Sequence, residues 1–547
     1  MKDYLEKKVY RCTLTKEYIK AFVMGNKKEI DINYTKKYQS LGVSHLFAIS
    51  GMHISLISGL LLFILSKFKS KYVLTSLFLI FYIFLTGFSA SVLRSSLIFI
   101  IYSFFKMIKI EIKSIYIVIF LFSIFLLVNP FYIYDIGFKF SFLVSYSILF
   151  FQKEIENKKG YFRKTLFISF LSFIISMPIV INNFYQINIL SVLFNLVYVP
   201  FISFIIFPLG LLTYFLPICD MILNFLEYIT DLFSNIPSTL YMAKIPLILV
   251  VIYHIFVIYY FKRSSRIKTL ILILFIIIFY NFNRVVMPTI TFIDVGQGDS
   301  SLLRIHDKNI LIDTGGKVSF KKEETWSERN NDSSLCNNVL LPYLKSNGVK
   351  KLDYLILTHG DFDHMGEAIN LVNNFKVEKV IFNCGEYNDL ESELIKVLDK
   401  KDIKYYSCIE ELNIDNNKLY FLNTKEYDNE NDNSVVIHTK LNNYKFLFMG
   451  DASILTEKEI LDKYNLTNID VLKVGHHGSK TSSSKEFVDT INHKYSIISV
   501  GKNNRYGHPN NEVLNNLEDS KVYRTDQDGS IKFKIKKDKL EIETCKP

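Results

Sequence analysis

The sequence predicts two unlike halves: a multi-pass α-helical membrane domain followed by a water-facing α/β domain. Three observations predict this. Long Ile/Leu/Phe-rich blocks lie between about residue 53 and residue 281, whereas from Pro288 onward charged residues and short alternating apolar runs intermix. The 547-residue chain, with 47 Phe, 34 Tyr and a positive mean hydropathy of +0.20, exceeds one ordinary domain and is too apolar to lie wholly in water. Finally, His359-Gly-Asp361-Phe-Asp363-His364 packs two imidazoles and two carboxylates into six residues directly after the apolar run Leu355-Ile-Leu357. At that density, at a strand end, these side chains suit a pair of divalent ions better than a polar turn.

Residues 1–44 form a polar segment. Met1-Lys-Asp-Tyr-Leu-Glu-Lys-Lys is charged, with no apolar run before a cleavage site, so it reads as no secretory signal. The membrane domain takes residues 45–284. A span needs about 20 apolar residues for ~30 Å of hydrocarbon. The candidates are Tyr72 to Phe88, Val92 to Phe105, Ser114 to Val128, Phe140 to Phe151, Thr165 to Ile181, Leu247 to Phe261 and Lys268 to Tyr280. A stretch from Leu190 to Pro217, interrupted by Pro200 and Pro208, reads as a kinked helix or a re-entrant segment.

Basic clusters at Lys67 to Lys71, Lys106 to Lys113, Lys153 to Lys164 and Lys262 to Lys268 alternate with loops that carry almost no Lys or Arg. The positive-inside rule makes the clusters cytoplasmic and delivers the chain after the last helix to the outer face. The segment before Ile54 cuts against this, because it would also lie outside yet carries ten Lys/Arg. Polar groups beside or within apolar segments mark an expected conduit: Ser50, Gly51 and His53 at the mouth of one run, Arg94 inside another, and Asp135, Lys139 and Asn195. An intramembrane Arg is costly unless it faces protein or water. His53 reads first as a helix cap and next as a group that touches DNA phosphate or a proton path.

Residues 285–547 read strand by strand. Thr289 to Asp294 alternates, Val295-Gly-Gln-Gly-Asp299 turns into Ser301 to Ile305, and Asn309 to Asp313 ends in Thr-Gly-Gly. Asp299 and Asp313 suit turn formation or the orientation of ligand histidines. Phe446-Leu-Phe-Met-Gly-Asp451 places another carboxylate at a strand end. Val471 to Gly475 leads into His476-His477-Gly-Ser479-Lys480-Thr481, whose Ser/Thr-rich helix start offers N–H groups and hydroxyls to a phosphate. Ile497 to Gly501 leads to Tyr506-Gly-His508-Pro. Six cysteines show no C-x-x-C spacing, so neither a zinc ribbon nor a disulfide framework is readable, and the net charge of +11 is weak evidence for nucleic acid.

The order H-x-D-x-D-H, Gly-Asp, then a late His resembles the metallo-β-lactamase fold, an αββα sandwich with a dinuclear site at one edge. Asp294-Val-Gly-Gln-Gly-Asp299, Ile312-Asp-Thr-Gly-Gly316, Lys473, His476-His477-Gly-Ser479 and Tyr506-Gly-His-Pro509 resemble, more narrowly, the C-terminal domain of the ComEC competence family. So do Ser50-Gly-Met-His53, Phe88 to Arg94, Asn129-Pro130 with Asp135 to Ser141, and Phe194-Asn195 to Pro200 for that family's membrane domain. The resemblance runs in order from about Ala21 to Ile542. It implies a membrane channel that imports single-stranded DNA in natural transformation, with DNA, membrane lipid, a DNA receptor and a cytoplasmic helicase-like ATPase as partners. Relatives begin with further helices and an OB-fold-like region that has no counterpart in the roughly fifty residues before Ser50. Met52 and Glu367 depart from the family's usual residues, and Asn433 stands where related hydrolases carry a third-motif histidine.

The expected chemistry is phosphodiester hydrolysis by two divalent ions, which lower the pKa of water for in-line attack. Asp363 and Asp451 are the expected bridging carboxylates. His359 and Asp361 are assigned to one ion, and His364 with one of His476, His477 or His508 to the other. Asp361 in place of an imidazole hardens the site toward manganese or magnesium, with zinc possible. Ser479, Lys480 and Thr481 are assigned to phosphate, Lys473 or Lys480 to developing charge, and His508 to ligation or acid/base work. A transport component whose soluble domain does not cut, or a hydrolase of another anionic substrate, fits the same residues.

Overall fold

The computed structural model describes residues 17–18, 20–22, 25, 30–212, 219–262, 271–272, 280–281, 287–316 and 334–545. The chain divides into two compact units, Met1–Phe282 and Asn283–Pro547.

The first unit is helical. Gly51–Ile64, Lys71–Leu85, Ala90–Met107, Ser114–Val128, Ile136–Phe150, Tyr161–Phe184, Ser191–Pro200, Cys219–Ser234 and Leu247–Lys262 are its main apolar or amphipathic helices. Ala90–Met107, Tyr161–Phe184 and Ser191–Leu209 are long and apolar enough to cross a membrane, and five other apolar helices are shorter. The stretch around Pro200 stays helical: Ser191–Pro200 passes through a wide π turn, Phe201–Ile206, into Phe207–Leu212. A π turn is how a helix absorbs a proline that cannot donate its N–H. Gly51–Ile64 is absent from the predicted spans because it is only 14 residues long and opens on Gly-Met-His behind its Ser50 cap, which reads as polar. The predicted span Lys268 to Tyr280 lies outside the described residues, apart from 271–272 and 280.

The polar groups of this unit separate into two kinds. Ser50 and His53 cap their helix reciprocally, with the Ser50 N–H donating to His53 Nδ1 at 3.0 Å. His53 Nε2 is buried with no hydrogen-bond partner. Arg94 is buried and donates from Nε to Ser141 Oγ at 2.6 Å. A Cβ on Gly51 would stand 3.1 Å from Arg94 Nη2, so Gly51 is what lets its helix approach Ala90–Met107. His53, Arg94 and Ser141 lie in the interior, with Ser50 and Gly51 half-buried beside them. Asp135 does not: it is exposed, and its carboxylate accepts from the Phe138 N–H as the cap of Ile136–Phe150. Asn195 donates to Ser191 O on its own helix, leaving Oδ1 buried and unpaired.

The strands of the second unit are numbered from its start: β1 Thr289–Phe292, β2 Ser301–Ile305, β3 Lys308–Ile312, β4 Tyr354–Ile356, β5 Lys379–Phe382, β6 Lys404–Ser407, β7 Glu411–Ile414, β8 Asn417–Phe421, β9 Ile437–Leu441, β10 Tyr444–Phe448, β11 Val471–Lys473, β12 Tyr495–Ile498, β13 Lys521–Arg524, β14 Ser530–Ile535 and β15 Leu540–Cys545. One sheet has the order β15-β14-β1-β2-β3-β4-β5-β6, and the other β13-β12-β11-β10-β9-β8-β7. Side chains alternate across each strand and build the layers. Ile310, Ile356, Phe446, Val471 and Ile497 fill the space between the sheets. Leu311 and Leu355 face outward onto helical Leu340, Leu371 and Leu394, and Leu447 and Leu472 onto Ile460 and Phe487. The result is the four-layer αββα sandwich expected.

Strands β3 to β6 are parallel, as are β10 to β13, so within each sheet their C-terminal ends share one rim. In parallel sheets that rim is where loops are free to carry chemistry. A disulfide, Cys384–Cys408, ties the loop after β5 to the end of β6. Its cysteines are 24 residues apart, and only the pairing of β5 with β6 brings them together, which is why spacing did not reveal it.

Candidate metal centre

The ligand loop follows β4, where the apolar run ends at Leu357 and a one-turn helix, Phe362–Met365, turns His364 inward. β10 delivers Asp451 through Met449-Gly450, and Gly450 adopts a left-handed φ of +55° in which a side chain would crowd Ser434. β11 delivers His476 and His477, both in left-handed backbone. Among the described residues four ligand-atom groups converge: His359, His364 and Asp451; Asp363, His364 and His477; Asp299, Asp451 and His477; and, behind them, Asp299, Asp313 and His364, each within 4.8 Å. His364 Nε2 stands 3.1 Å from Asp451 Oδ1, and His477 Nε2 lies 3.2 Å from Asp363 Oδ2 and 3.6 Å from Asp451 Oδ2. His359 Nε2, His364 Nε2 and Asp451 Oδ1 are buried and form no well-aligned hydrogen bond. Unsatisfied nitrogens and a carboxylate oxygen aimed at one point are a donor set that fits a divalent ion.

Asp361, His476 and His508 stand at the edge of this centre. Asp361 is half-exposed, with Oδ2 3.5 Å from His359 Nε2. His476 Nε2 is 3.8 Å from Asp451 Oδ2, and its Nδ1 meets Thr481 Oγ1 at 3.0 Å. The His508 ring is centred 6.0 Å from that of His476.

Two expectations are corrected. Lys473 does not face the centre's opening: it is 2% exposed and pairs with Asp299 Oδ2 at 2.5 Å while donating to Val474 O. The backbone cradle at the Ser/Thr run is filled by the chain itself, because Glu457 accepts from the Ser483 and Ser484 N–H groups and the Ser484 hydroxyl. Ser479 and Thr481 hydrogen-bond each other at 3.0 Å, and Lys480 is exposed.

Further residues hold the ligands in place: Asp313 and Asp299 take the second of the two roles the sequence left open for them, and Ser434, Glu430 and Asn388 are ones the sequence did not single out. Asp313, in left-handed backbone, accepts from the Thr358 N–H and hydroxyl and stands 2.8 Å from His364 Nδ1. Ser434 Oγ accepts from the Asp451 N–H and lies 3.3 Å from His359 Nδ1. His477 Nδ1 is 2.9 Å from Ser499 O and 3.4 Å from Asp299 Oδ1. Glu430 accepts from the Gly360 N–H and Asn388 donates to Gly360 O, clamping the turn between His359 and Asp361. Asn433 spends its amide on Tyr427 N and O rather than on the centre.

Burial alone would strip the proton from His477, but the carboxylates of Asp451, Asp299 and Asp363 outweigh it and push its pKa up to about 10. Burial likewise opposes charge on His364, which Asp451 and Asp313 nevertheless raise well above its usual value. Burial pulls the Asp451 carboxyl up, and His364 and His477 drive it well below the usual range. The metal-free centre therefore holds imidazolium ions among carboxylates at neutral pH. An ion entering must displace those protons, so apparent metal affinity should rise with pH toward about 10, by roughly tenfold per unit for each proton displaced. Adding manganese to metal-free protein in weak buffer at pH 7 should release protons, and uptake with no release would show these imidazoles to be neutral beforehand.

Comparison with known proteins agrees with this geometry. Residues 22–267 match the Competence protein family and residues 293–502 the Metallo-beta-lactamase superfamily. The chain is 31% identical over 552 aligned residues to ComE operon protein 3 of Bacillus subtilis, spanning 95% of this chain and 71% of that protein. The chain belongs to the ComEC family. This ComEC protein is also 26% identical to Competence protein ComA of Neisseria gonorrhoeae and 29% identical to Recombination protein 2 of Haemophilus influenzae. Those matches cover 64% and 48% of the chain but only 48% and 31% of the relatives. It is thus a membrane protein of DNA uptake, with a metallo-β-lactamase domain whose fold implies divalent metal.

Proposed function

We propose that this ComEC protein passes single-stranded DNA across the cytoplasmic membrane, and that its second unit, on the outer face, hydrolyses phosphodiesters of the strand that is not imported. The convergence of His359, His364, Asp363, Asp451 and His477 at one rim carries the hydrolase reading. The buried Arg94 beside Gly51 and Ser141 supports a polar path through the first unit, since a cation there must face protein or water. The DNA receptor and translocation ATPase of competence are the expected partners.

Bound divalent ions supply Lewis acidity and lower the pKa of water. His359, His364, Asp363, Asp451 and His477 would hold two of them, with Asp361 at the open edge favouring manganese or magnesium. Asp313 fixes His364, and Asp299 with Ser499 O fixes His477, so that each presents Nε2 to the centre. Lys473 neutralises Asp299 and thereby keeps that orientation. His508 is kept from protonating by its own burial and by His477 and His476, and is suited to accept or return a proton at the edge. The full chain in detergent should cut a labelled oligonucleotide with manganese and stop with EDTA. Absence of cutting with manganese, magnesium and zinc alike would end the nuclease reading.

The outer placement is supported by the Lys/Arg bias of the loops. A reporter active only outside the membrane, fused after Pro547, should be active; activity from a cytoplasm-only reporter would reverse the topology.

A further inference from the structure

We propose that the loop 501–508 is a nucleobase platform, on which Tyr506, backed by His508, stacks a base of single-stranded nucleic acid beside the metal centre. The proposal rests on the reading of the second unit as acting on DNA. Tyr506 is 61% exposed, and its ring lies parallel to that of His508, 12° between planes with centroids 5.9 Å apart. Gly507, in left-handed backbone at φ +70°, makes the turn that puts these two rings on one side of the loop. The phenol ring is therefore presented to solvent beside a second, near-parallel ring. His508 in turn lies 6.0 Å from the His476 ring, which borders Asp451, so the platform begins where the ligand cluster ends.

The loop is built to hold that ring still. Asn504 donates to Gly501 O at 3.2 Å and to His508 O at 2.7 Å, and accepts from the His508 N–H at 3.0 Å, closing the loop with a single side chain. Gly501 is braced on Gln297 Oε1 at 3.1 Å, and a Cβ there would collide with the Gln297 backbone. Packing within the unit does not account for the exposed aromatic, because Tyr506 belongs to none of its hydrophobic clusters. Lys502 and Arg505, both exposed, precede it in the same loop. An aromatic face interleaved with basic side chains is how proteins hold single strands without reading sequence, since every base has a π face and every step a phosphate. Duplex DNA would offer Tyr506 only base edges, so the platform selects for unpaired nucleotides.

The test uses the full chain in detergent, with EDTA present so that nothing is cut, and short single-stranded oligonucleotides carrying 2-aminopurine, whose fluorescence is quenched on stacking. The wild type should quench it. Tyr506→Ala should abolish the quenching and weaken binding by about tenfold, the scale of one lost base–aromatic stack, while Tyr506→Phe should retain both. An oligonucleotide made abasic throughout should bind the wild type and Tyr506→Ala about equally. Quenching unchanged in Tyr506→Ala, or an equal loss on base-bearing and abasic strands, would overturn the platform. Wild type that quenches through Tyr506 yet cuts nothing with manganese would remove the nuclease reading and keep the platform. Cutting by wild type with quenching indifferent to Tyr506 would do the reverse.

Discussion

Asp451→Ala is expected to lower manganese-dependent DNA cleavage by on the order of a thousandfold, because one carboxylate serves both halves of the centre. Its Oδ1 meets His364 Nε2 at 3.1 Å, and its Oδ2 lies 3.6 Å from His477 Nε2. Among the described residues no other carboxylate is shared in this way between the group around His359 and the group around His477. Asp363→Ala and His364→Ala should fall in the same class, since each lies in the group with His477. Membrane insertion should persist in all three, as these residues belong to the unit Asn283–Pro547. The check is cleavage of a labelled oligonucleotide by protein freed of contaminating nucleases, alongside transformation frequency. Cleavage retained in Asp451→Ala would defeat the two-ion reading. Cleavage lost with transformation intact would separate cutting from uptake and leave the centre's assignment standing.

Lys473→Met is expected to do its damage differently. Removing one partner of a buried ion pair leaves Asp299 charged without its ammonium, with His477 3.4 Å away as a remaining partner, at a cost of up to about 3–5 kcal/mol. For a unit of this size that is a fall of roughly 10 °C in its melting temperature. Burial would raise the Asp299 carboxyl, but Lys473 and His477 hold it well below its usual range, so the ammonium is part of what keeps Asp299 fit to orient His477. Metal affinity should drop about tenfold to a hundredfold, the usual scale for groups behind a ligand. Calorimetry and manganese titration measure the two effects. A variant as stable as wild type but slow at saturating manganese would return Lys473 to the reacting phosphate.

What was legible in the sequence follows from where each residue acts. His359, Asp363, His364, Asp451 and His477 announce themselves because each sits just past an apolar strand, and parallel strands bring such ends to one rim. Lys473, which the sequence assigned with Lys480 to developing charge, is instead found paired with Asp299. Strand alternation settles it: Val471 points between the sheets, so Lys473, two residues on, points there as well, toward Asp299. Ser434, Glu430 and Asn388 left no local signal, because each reaches the ligands across 28 to 75 residues of sequence. The plugged helix start is of the same kind, its carboxylate arriving from Glu457 on another helix. In the membrane unit, Gly51–Ile64 escaped because a short helix with a polar first turn lacks the length that marks a span.

His476 and His477 sit side by side with φ of 44° and 53°. A side chain in that conformation costs roughly 1–2 kcal/mol, which glycine would not. Mutation alone would drift these positions toward glycine or asparagine, and a chain free of further demands would gain stability by doing so. Two adjacent imidazoles therefore stand where the backbone's own preference favours glycine. His476→Gly should accordingly yield a domain that melts higher and works worse, the signature of a residue retained for what it does rather than for the fold it inhabits.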